Sequence, residues 1–218
     1  MSVIPQLLPI EINQDKRRAE VLVNIVKMLT NRKLLNKENL ESNIKKILSI
    51  TSDDMIYSIK LDNPEIYYSK DEASKTFYIK FYNQKISGIT KTSPVGEFLV
   101  SKKDNPKIVV VNSITAKVYD TIRNEYKYSE VFLEKDLMID LVNHISVPKH
   151  ELLSKEDSKA LLDSYNVKKR EMPKMYISDP VSRYYNAQVG QIFTITRPSE
   201  VSCLAPYHRL VIKGSIAK

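Results

Sequence analysis

The sequence predicts an α+β protein with a mixed α/β first half, and three observations support this fold class. Apolar residues follow a helical period near the N-terminus, short β-branched runs replace that period after about residue 55, and a second helix–strand pattern begins after about residue 142. The chain has 218 residues and is 42% apolar, enough for two small cores. We therefore expect an N-terminal domain at 1–142 and a C-terminal domain at 143–218.

Two helices open the chain. After Asp15, apolar residues recur at the i, i+3, i+4 spacing of a helix with one buried face. They are Val21, Leu22, Ile25, Val26 and Leu29. A second, shorter helix is predicted after Asn36, and we expect the two helices to pack as a hairpin.

Strands follow. Residues 55–60, 76–82, 108–111 and 128–133 are rich in β-branched and aromatic side chains and are predicted to be strands. Ser93 and Pro94 suit the N-cap and first position of a helix between the second and third strands. Residues 61–75 are predicted to form an exposed loop.

The C-terminal domain has its own start and stop signals. Ser154 with Asp157 resembles a capping box, and Asp179 followed by Pro180 predicts a second helix start. Gly190 suits a turn before a strand at 191–196, and 207–212 is predicted to be another strand.

Charge and composition exclude several classes of protein. Lys and Arg outnumber Asp and Glu by 34 to 26, so a charge of +8 permits contact with nucleic acid, but the excess is spread along the chain. The single cysteine excludes an internal disulfide and a cysteine zinc cluster. The N-terminal residues lack the pattern of a secretion signal, and the sequence predicts no membrane span.

Four short motifs stand out in the C-terminal third, in this order: VPKH at 147–150, DPVSRY at 179–184, ITRPSE at 195–200 and YHRLV at 207–211. Taken singly, each of the first three has a structural explanation: a strand end stopped by proline, a common helix start, an exposed turn. Together they closely resemble the assembly domain of the subunit five family shared by eukaryotic RNA polymerases I, II and III, which has an archaeal counterpart. The resemblance extends more weakly through the N-terminal half, including Arg18 and Arg32.

The resemblance implies a non-catalytic polymerase subunit. The assembly domain would dock on the largest subunit, and the N-terminal domain, with a nuclease-like layered sheet, would form the lower jaw beside downstream duplex DNA. The framework residues that it places at the partner interface are Pro148, His150, Asp179, Pro180, Arg183, Tyr184, Arg197, Pro198 and Ser199. Two alternatives stay open: an Arg183 pair with Asp179 on the same helix, and a Tyr184 ring in the core.

Four basic residues are candidates for facing DNA: Lys16, Arg17, Arg18 and Lys117. For the first three, a solvated helix face is the competing interpretation, and like charges there oppose the helix dipole. The family's proline-containing, DNA-approaching loop matches residues 112–116, where Ile114 stands in place of the proline. No cofactor, metal, membrane contact or homo-oligomer is expected.

The resemblance also bears on location. A cellular eukaryotic subunit would be nuclear. The high content of Lys, Ile, Asn and Tyr indicates a lineage such as a large DNA virus, for which the virion and the host cytoplasm would be expected.

Two other functions, a metal-dependent nuclease and a free-standing nucleic-acid-binding protein, can be compared with the residues that each would need. A metal-dependent nuclease of the jaw type needs a carboxylate where Tyr78 stands before Ile79 and Lys80, and Asp53 and Asp54 lack a partner. A free-standing basic nucleic-acid-binding protein would explain the charge but not the four motifs. The three histidines, His144, His150 and His208, are predicted to be structural.

Overall fold

The computed structural model describes residues 13–50, 55–64, 76–90, 92–126, 128–199 and 203–214. The chain divides into two compact units, residues 1–139 (unit 1) and 140–218 (unit 2). Each has its own four-stranded mixed sheet with helices, so the predicted α+β class is confirmed. No helix among the described residues is both long and apolar enough to span a bilayer.

Unit 1 begins with the predicted helical hairpin. Helix α1, Gln14–Asn31, starts at the Asn13 N-cap and buries the predicted apolar stripe. A 3-10 turn, Lys37–Asn39, leads into α2, Leu40–Leu48, which packs on α1. The hairpin prediction is therefore confirmed.

The sheet of unit 1 has the strand order β1-β2-β3-β4. The strands are β1 Ile56–Lys60, β2 Thr76–Ile86, β3 Lys107–Ile114 and β4 Ser129–Leu133. Strand β1 is antiparallel to β2, and the other pairs are parallel. Parallel neighbours need crossover connections, which here contain α3, Pro94–Ser101, and α4, Ala116–Glu125. A short helix α5, Glu134–Leu137, follows β4.

The two faces of this sheet carry different helices. Val109 and Val131 share a core with Phe98 of α3 and Ile122 of α4. Because neighbouring strand residues point to opposite sides, Glu130 lies on the other face, where Arg32 at the end of α1 reaches it. The sheet therefore lies between α1 on one side and α3 and α4 on the other.

Helix α3 starts as predicted. The Ser93 hydroxyl accepts a hydrogen bond from the Gly96 N–H at 3.1 Å, and Pro94 occupies the first turn. Position 96 requires glycine, since a Cβ there would lie 2.0 Å from the Thr90 carbonyl oxygen.

Unit 2 has the strand order β5-β7-β8-β6. Its strands are β5 Lys149–Leu152, β6 Lys174–Tyr176, β7 Ile192–Ser199 and β8 Cys203–Ile212. Its helices are α6, Lys155–Tyr165, and α7, Pro180–Tyr184, with a 3-10 turn at Lys169–Glu171. Pairing of β7 with β5 and β8 is antiparallel, and β6 joins β8 in parallel.

Both predicted helix starts of unit 2 are present, although the capping box at Ser154 is incomplete. The Ser154 hydroxyl caps α6 by accepting from the Asp157 N–H at 3.0 Å, and it donates to the Asp157 carboxylate. The reciprocal bond of a true capping box would go to the Ser154 backbone instead. Gly190 has φ of +91°, as its turn requires.

Several local predictions need correction. Pro148 precedes a strand and does not end one, because β5 begins at Lys149. The 197–199 segment is strand and not turn: it pairs with 203–205 across the β7–β8 hairpin. Residues 112–116 are the end of β3 and the start of α4, not a free loop. Of the predicted loop 61–75, residues 65–75 lie outside the described part of the chain.

Candidate functional site

The first motif of unit 2 fixes a buried histidine. His150 on β5 is 8% exposed, and its Nδ1 lies 2.6 Å from the Pro148 carbonyl oxygen. A carbonyl only accepts, so Nδ1 carries a proton and donates. The imidazole meets the Phe193 ring edge-on, with centroids 6.0 Å apart. His150 is thus a structural residue whose hydrogen bond is satisfied by the backbone of half-buried Pro148.

The second motif builds α7. The Asp179 carboxylate accepts from the Val181 N–H at 2.9 Å, and Pro180 sits in the first helical turn. Tyr184 is only 7% exposed, so most of its ring belongs to the core, while Arg183 is half-buried.

An aromatic row joins these two motifs. The Tyr184 ring meets Tyr185 edge-on at 5.3 Å, and Tyr185 meets Phe193 at 5.8 Å. Phe193 in turn contacts His150. Burial raises the pKa of the Tyr185 phenol, and the charge of Glu151 raises it further. Edge-to-face ring contacts add to the stability of area burial, so β5, β7 and α7 form one rigid platform.

The third and fourth motifs make an exposed cationic surface, which we call the arginine–tyrosine stack. The Arg197 guanidinium lies 4.7 Å from the centre of the Tyr207 ring, and the Arg209 guanidinium lies 5.8 Å from it. No described carboxylate lies within 4.0 Å of either arginine. Pro198 is exposed beside the stack and Ser199 is half-buried. Arginine and tyrosine are the residue types that most often anchor protein interfaces.

The other two histidines are also held locally. His208 Nδ1 lies 3.2 Å from the Thr194 hydroxyl, and burial lowers the pKa of the imidazole. His144 Nδ1 accepts from the Ser146 N–H at 3.2 Å. Across the described residues, no three histidine, cysteine or acidic side chains are grouped to hold a metal ion.

The predicted DNA-facing residues do not form one surface. Lys16, Arg17 and Arg18 lie in the first turns of α1, where the Arg18 guanidinium is 3.7 Å from Asp15. Lys117 is exposed in the first turn of α4, on the opposite side of the sheet.

Tyr78 stands at the position where a metal-dependent nuclease would need a carboxylate. Tyr78 on β2 is covered by the Lys102 ammonium, 4.8 Å from its ring centre. A phenol in this setting is a poor magnesium ligand. Asp53 and Asp54 lie outside the described residues.

Two buried charges in unit 1 were missed by sequence reasoning. The Arg32 guanidinium donates to both oxygens of Glu130, at 2.7 and 2.8 Å, with a side chain only 2% exposed. Lys107 is 1% exposed and donates to the carbonyl oxygens of Lys102 and Asn105, at 2.6 and 3.1 Å. Burial lowers the Lys107 pKa to about 8, and nearby Asp104 partly offsets this.

Known proteins resemble this chain in two ways, through a family model that covers unit 2 and through relatives that extend further. The family model described as RNA polymerase Rpb5, C-terminal domain, matches residues 139–211. A protein named DNA-directed RNA polymerase subunit 5, from Acanthamoeba polyphaga mimivirus, is 30% identical over 92% of this chain and 94% of its own length.

Cellular relatives match as well. The Dictyostelium discoideum protein named DNA-directed RNA polymerases I, II, and III subunit rpabc1 is 30% identical over 66% of this chain and 75% of its own length. The Methanosarcina acetivorans protein named DNA-directed RNA polymerase subunit Rpo5 is 44% identical over 73 residues, which are 34% of this chain and 94% of the archaeal protein.

Proposed function

The chain belongs to the RNA polymerase subunit 5 family, and on that premise we propose that unit 2 docks it on the largest subunit while unit 1 forms the lower jaw beside downstream duplex DNA. It is a non-catalytic subunit of a multisubunit DNA-directed RNA polymerase, so the assembled complex is the enzyme. Its contribution is positional: a rigid domain held at a protein interface, with no sequence reading expected.

One observation carries the docking half of the proposal. The arginine–tyrosine stack is exposed, carries two positive charges without a described carboxylate partner, and is built from two of the four family motifs. A stacked guanidinium keeps its position before binding, which lowers the entropy lost on association. Half-buried Arg183 on α7 is proposed as a further interface residue, while buried His150 and Tyr184, with the half-buried Asp179 cap, act by holding the platform rigid.

The archaeal relative supports assigning assembly to unit 2. Nearly all of that protein aligns with 73 residues of this chain, a span equal in length to the matched family model at 139–211. A protein named as a polymerase subunit can therefore consist of little more than a domain of 73 residues. We infer that unit 1 adds the jaw function, with Lys16, Arg17, Arg18 and Lys117 as the residues proposed to face DNA.

Location follows the source of the polymerase. A nuclear site is proposed by analogy with the eukaryotic relatives, and a virion with the host cytoplasm by analogy with the viral one.

The test is co-purification of the tagged full chain from its native source, with identification of the proteins recovered. We expect the two large polymerase subunits in equal proportion. Arg183→Glu should reduce their recovery at least about tenfold, because charge reversal of an interface arginine removes a favourable contact and adds repulsion.

A matched control is Lys159→Glu, the same charge change at an exposed position of α6. Full recovery with Arg183→Glu would remove Arg183 from the interface. Absence of any polymerase subunit with the unmodified chain would refute the docking proposal and favour a free nucleic-acid-binding protein.

A further inference from the structure

We infer that β5, an edge strand of the unit 2 sheet, is extended in the polymerase by a strand from a partner protein. The contact would use the backbone groups of His150 and Leu152, which we call the β5 edge. The inference rests on the proposed function only in that the partner is taken to be another polymerase subunit. It concerns backbone pairing, which the side chains of the arginine–tyrosine stack do not supply.

The strand register shows which backbone groups of β5 are left over. The Leu153 N–H donates to the Ile192 carbonyl oxygen at 3.0 Å, so these two residues form a hydrogen-bonded pair. Hydrogen-bonded and non-hydrogen-bonded pairs alternate along an antiparallel ladder. The backbone of Glu151 therefore bonds to β7, while the N–H and C=O groups of His150 and Leu152 point away from it.

These backbone groups have no hydrogen-bond partner within the described part of the chain. His150 is only 8% exposed, and Leu152 is half-buried. Backbone groups in residues so far removed from water are nearly always paired. A strand laid along the β5 edge would supply all of the missing bonds.

Only a polypeptide backbone matches the β5 edge. His150 and Leu152 each present one donor and one acceptor, at the two-residue spacing of a β-strand. A phosphate can only accept hydrogen bonds, so a nucleic acid would leave both carbonyl groups unpaired, at a cost in free energy. The occupant is therefore an extended segment of a protein.

The two sides of β5 predict the sequence pattern of that segment. On one side, Leu152 packs with half-buried Val147 and Tyr185 against the core under α7. On the other side, the Lys149 ammonium lies 2.6 Å from the Glu151 carboxylate, and this pairing neutralises charges that would otherwise oppose strand addition. We expect the partner segment to alternate apolar and polar side chains.

The opposite edge of the sheet, β6, is less suited to strand addition. It is three residues long, and the Tyr176 carbonyl oxygen already accepts from the Asp179 N–H at 3.0 Å. The Leu210 N–H donates to the Pro173 carbonyl oxygen, so the exposed Lys174 points its backbone away from β8. Short edge strands and lysine both oppose strand addition.

The first experiment compares hydrogen exchange of the full chain, free and in the co-purified polymerase, with fragmentation after quenching to resolve single amides. We expect the His150 and Leu152 amides to exchange at least about a hundredfold more slowly in the polymerase, because hydrogen-bonded strand amides are protected. Glu151, already bonded to β7, should be protected in both samples, and Lys174 in neither.

The second experiment removes one donor of the β5 edge. Leu152→Pro deletes an N–H that β7 does not use, and proline is tolerated at such edge positions. Leu152→Ala is the matched control, because it loses the same side chain and keeps the N–H. We expect recovery of the large polymerase subunits to be at least about fivefold lower with Leu152→Pro than with Leu152→Ala. Circular dichroism checks the folding of both variants.

The possible failures can be told apart. Unprotected His150 and Leu152 amides in a polymerase that contains the chain, or equal recovery with the two Leu152 variants, would overturn this inference and leave the proposed function standing. Protection of these amides in the free chain, together with the mass of a dimer, would identify a second copy as the occupant and overturn it as well. If the unmodified chain recovers no large subunit, the proposed function and this inference fail together.

Discussion

Removing the Glu130 carboxylate should cost unit 1 a large part of its stability. Glu130 holds both donors of the Arg32 guanidinium at 2.7 and 2.8 Å, and the arginine side chain is only 2% exposed. Glu130→Leu would leave that guanidinium buried and without the two hydrogen bonds that it donates to the Glu130 carboxylate. A buried charge stripped of its partner costs about 3 to 5 kcal/mol.

The lower end of that range applies here. The Glu130 side chain is 16% exposed, so water can reach the vacated side of the guanidinium. We therefore expect about 3 kcal/mol, which corresponds to roughly a hundredfold change in the opening equilibrium. Arg32→Met combined with Glu130→Leu replaces both charges and should recover most of the loss.

Hydrogen exchange read by mass spectrometry suits this test, because a single unfolding free energy is ill-defined for a chain of two units. Peptides from α1 and β4 should exchange roughly a hundred times faster in Glu130→Leu, while those from β7 should not change. The comparison variant is Glu151→Gln, which breaks an ion pair of 2.6 Å whose side chains are 73% and 56% exposed, and should cost less than about 1 kcal/mol.

The reasoning fails if both glutamate variants have equally small effects, since burial would then not decide the value of the pair. It fails as well if the double replacement is as unstable as Glu130→Leu. That result would mean that shape, and not an unpaired charge, causes the loss.

Three further outcomes are expected. The pKa of Lys107 is about 8 in the folded chain against an ordinary 10.5, so the unfolded chain binds more protons between these values and the stability of unit 1 should rise with pH there. Relative to Lys107→Met, the wild type should gain about 2 to 3 kcal/mol from pH 7 to pH 10, read from hydrogen exchange of β3 peptides after correction for the intrinsic exchange rate at each pH. An unchanged difference would contradict a charged, buried ammonium. Gly96→Ala should destabilise the start of α3 by more than about 1 kcal/mol, seen as faster exchange of α3, because the new Cβ meets the Thr90 carbonyl oxygen; unaltered exchange would show that the loop yields. Asp179→Ala should lower the melting temperature of unit 2 through loss of the Val181 cap, at about 1 kcal/mol, with Asp179→Asn as the near-neutral control, and equal losses in both variants would rule out capping.

Local signals predicted most of the elements. Helix α1 follows from its apolar period, and α3 and α7 from their Ser–Pro and Asp–Pro starts. Helix α4 was missed because only Val118 and Ile122 are buried in it, too few to set a period over ten residues. Strand β2 runs on to Ile86 through exposed polar residues that carry no strand signal.

Contacts between distant residues were beyond prediction. Arg32 and Glu130 are 98 residues apart, and nothing in either neighbourhood marks them as partners. Lys107 directly precedes the predicted strand 108–111, yet its burial depends on carbonyl groups that only the folded end of α3 and the turn after it supply. The arginine–tyrosine stack needs the β7–β8 register, although each of its residues lies within a recognisable motif.

Each four-stranded sheet is completed by strands from its own side of residue 139, and neither takes a described strand from the other side. A change of chain length near that boundary would leave every strand with its hydrogen-bonding neighbours. One genetic event at this point could therefore remove, exchange or append the first unit without rebuilding the second.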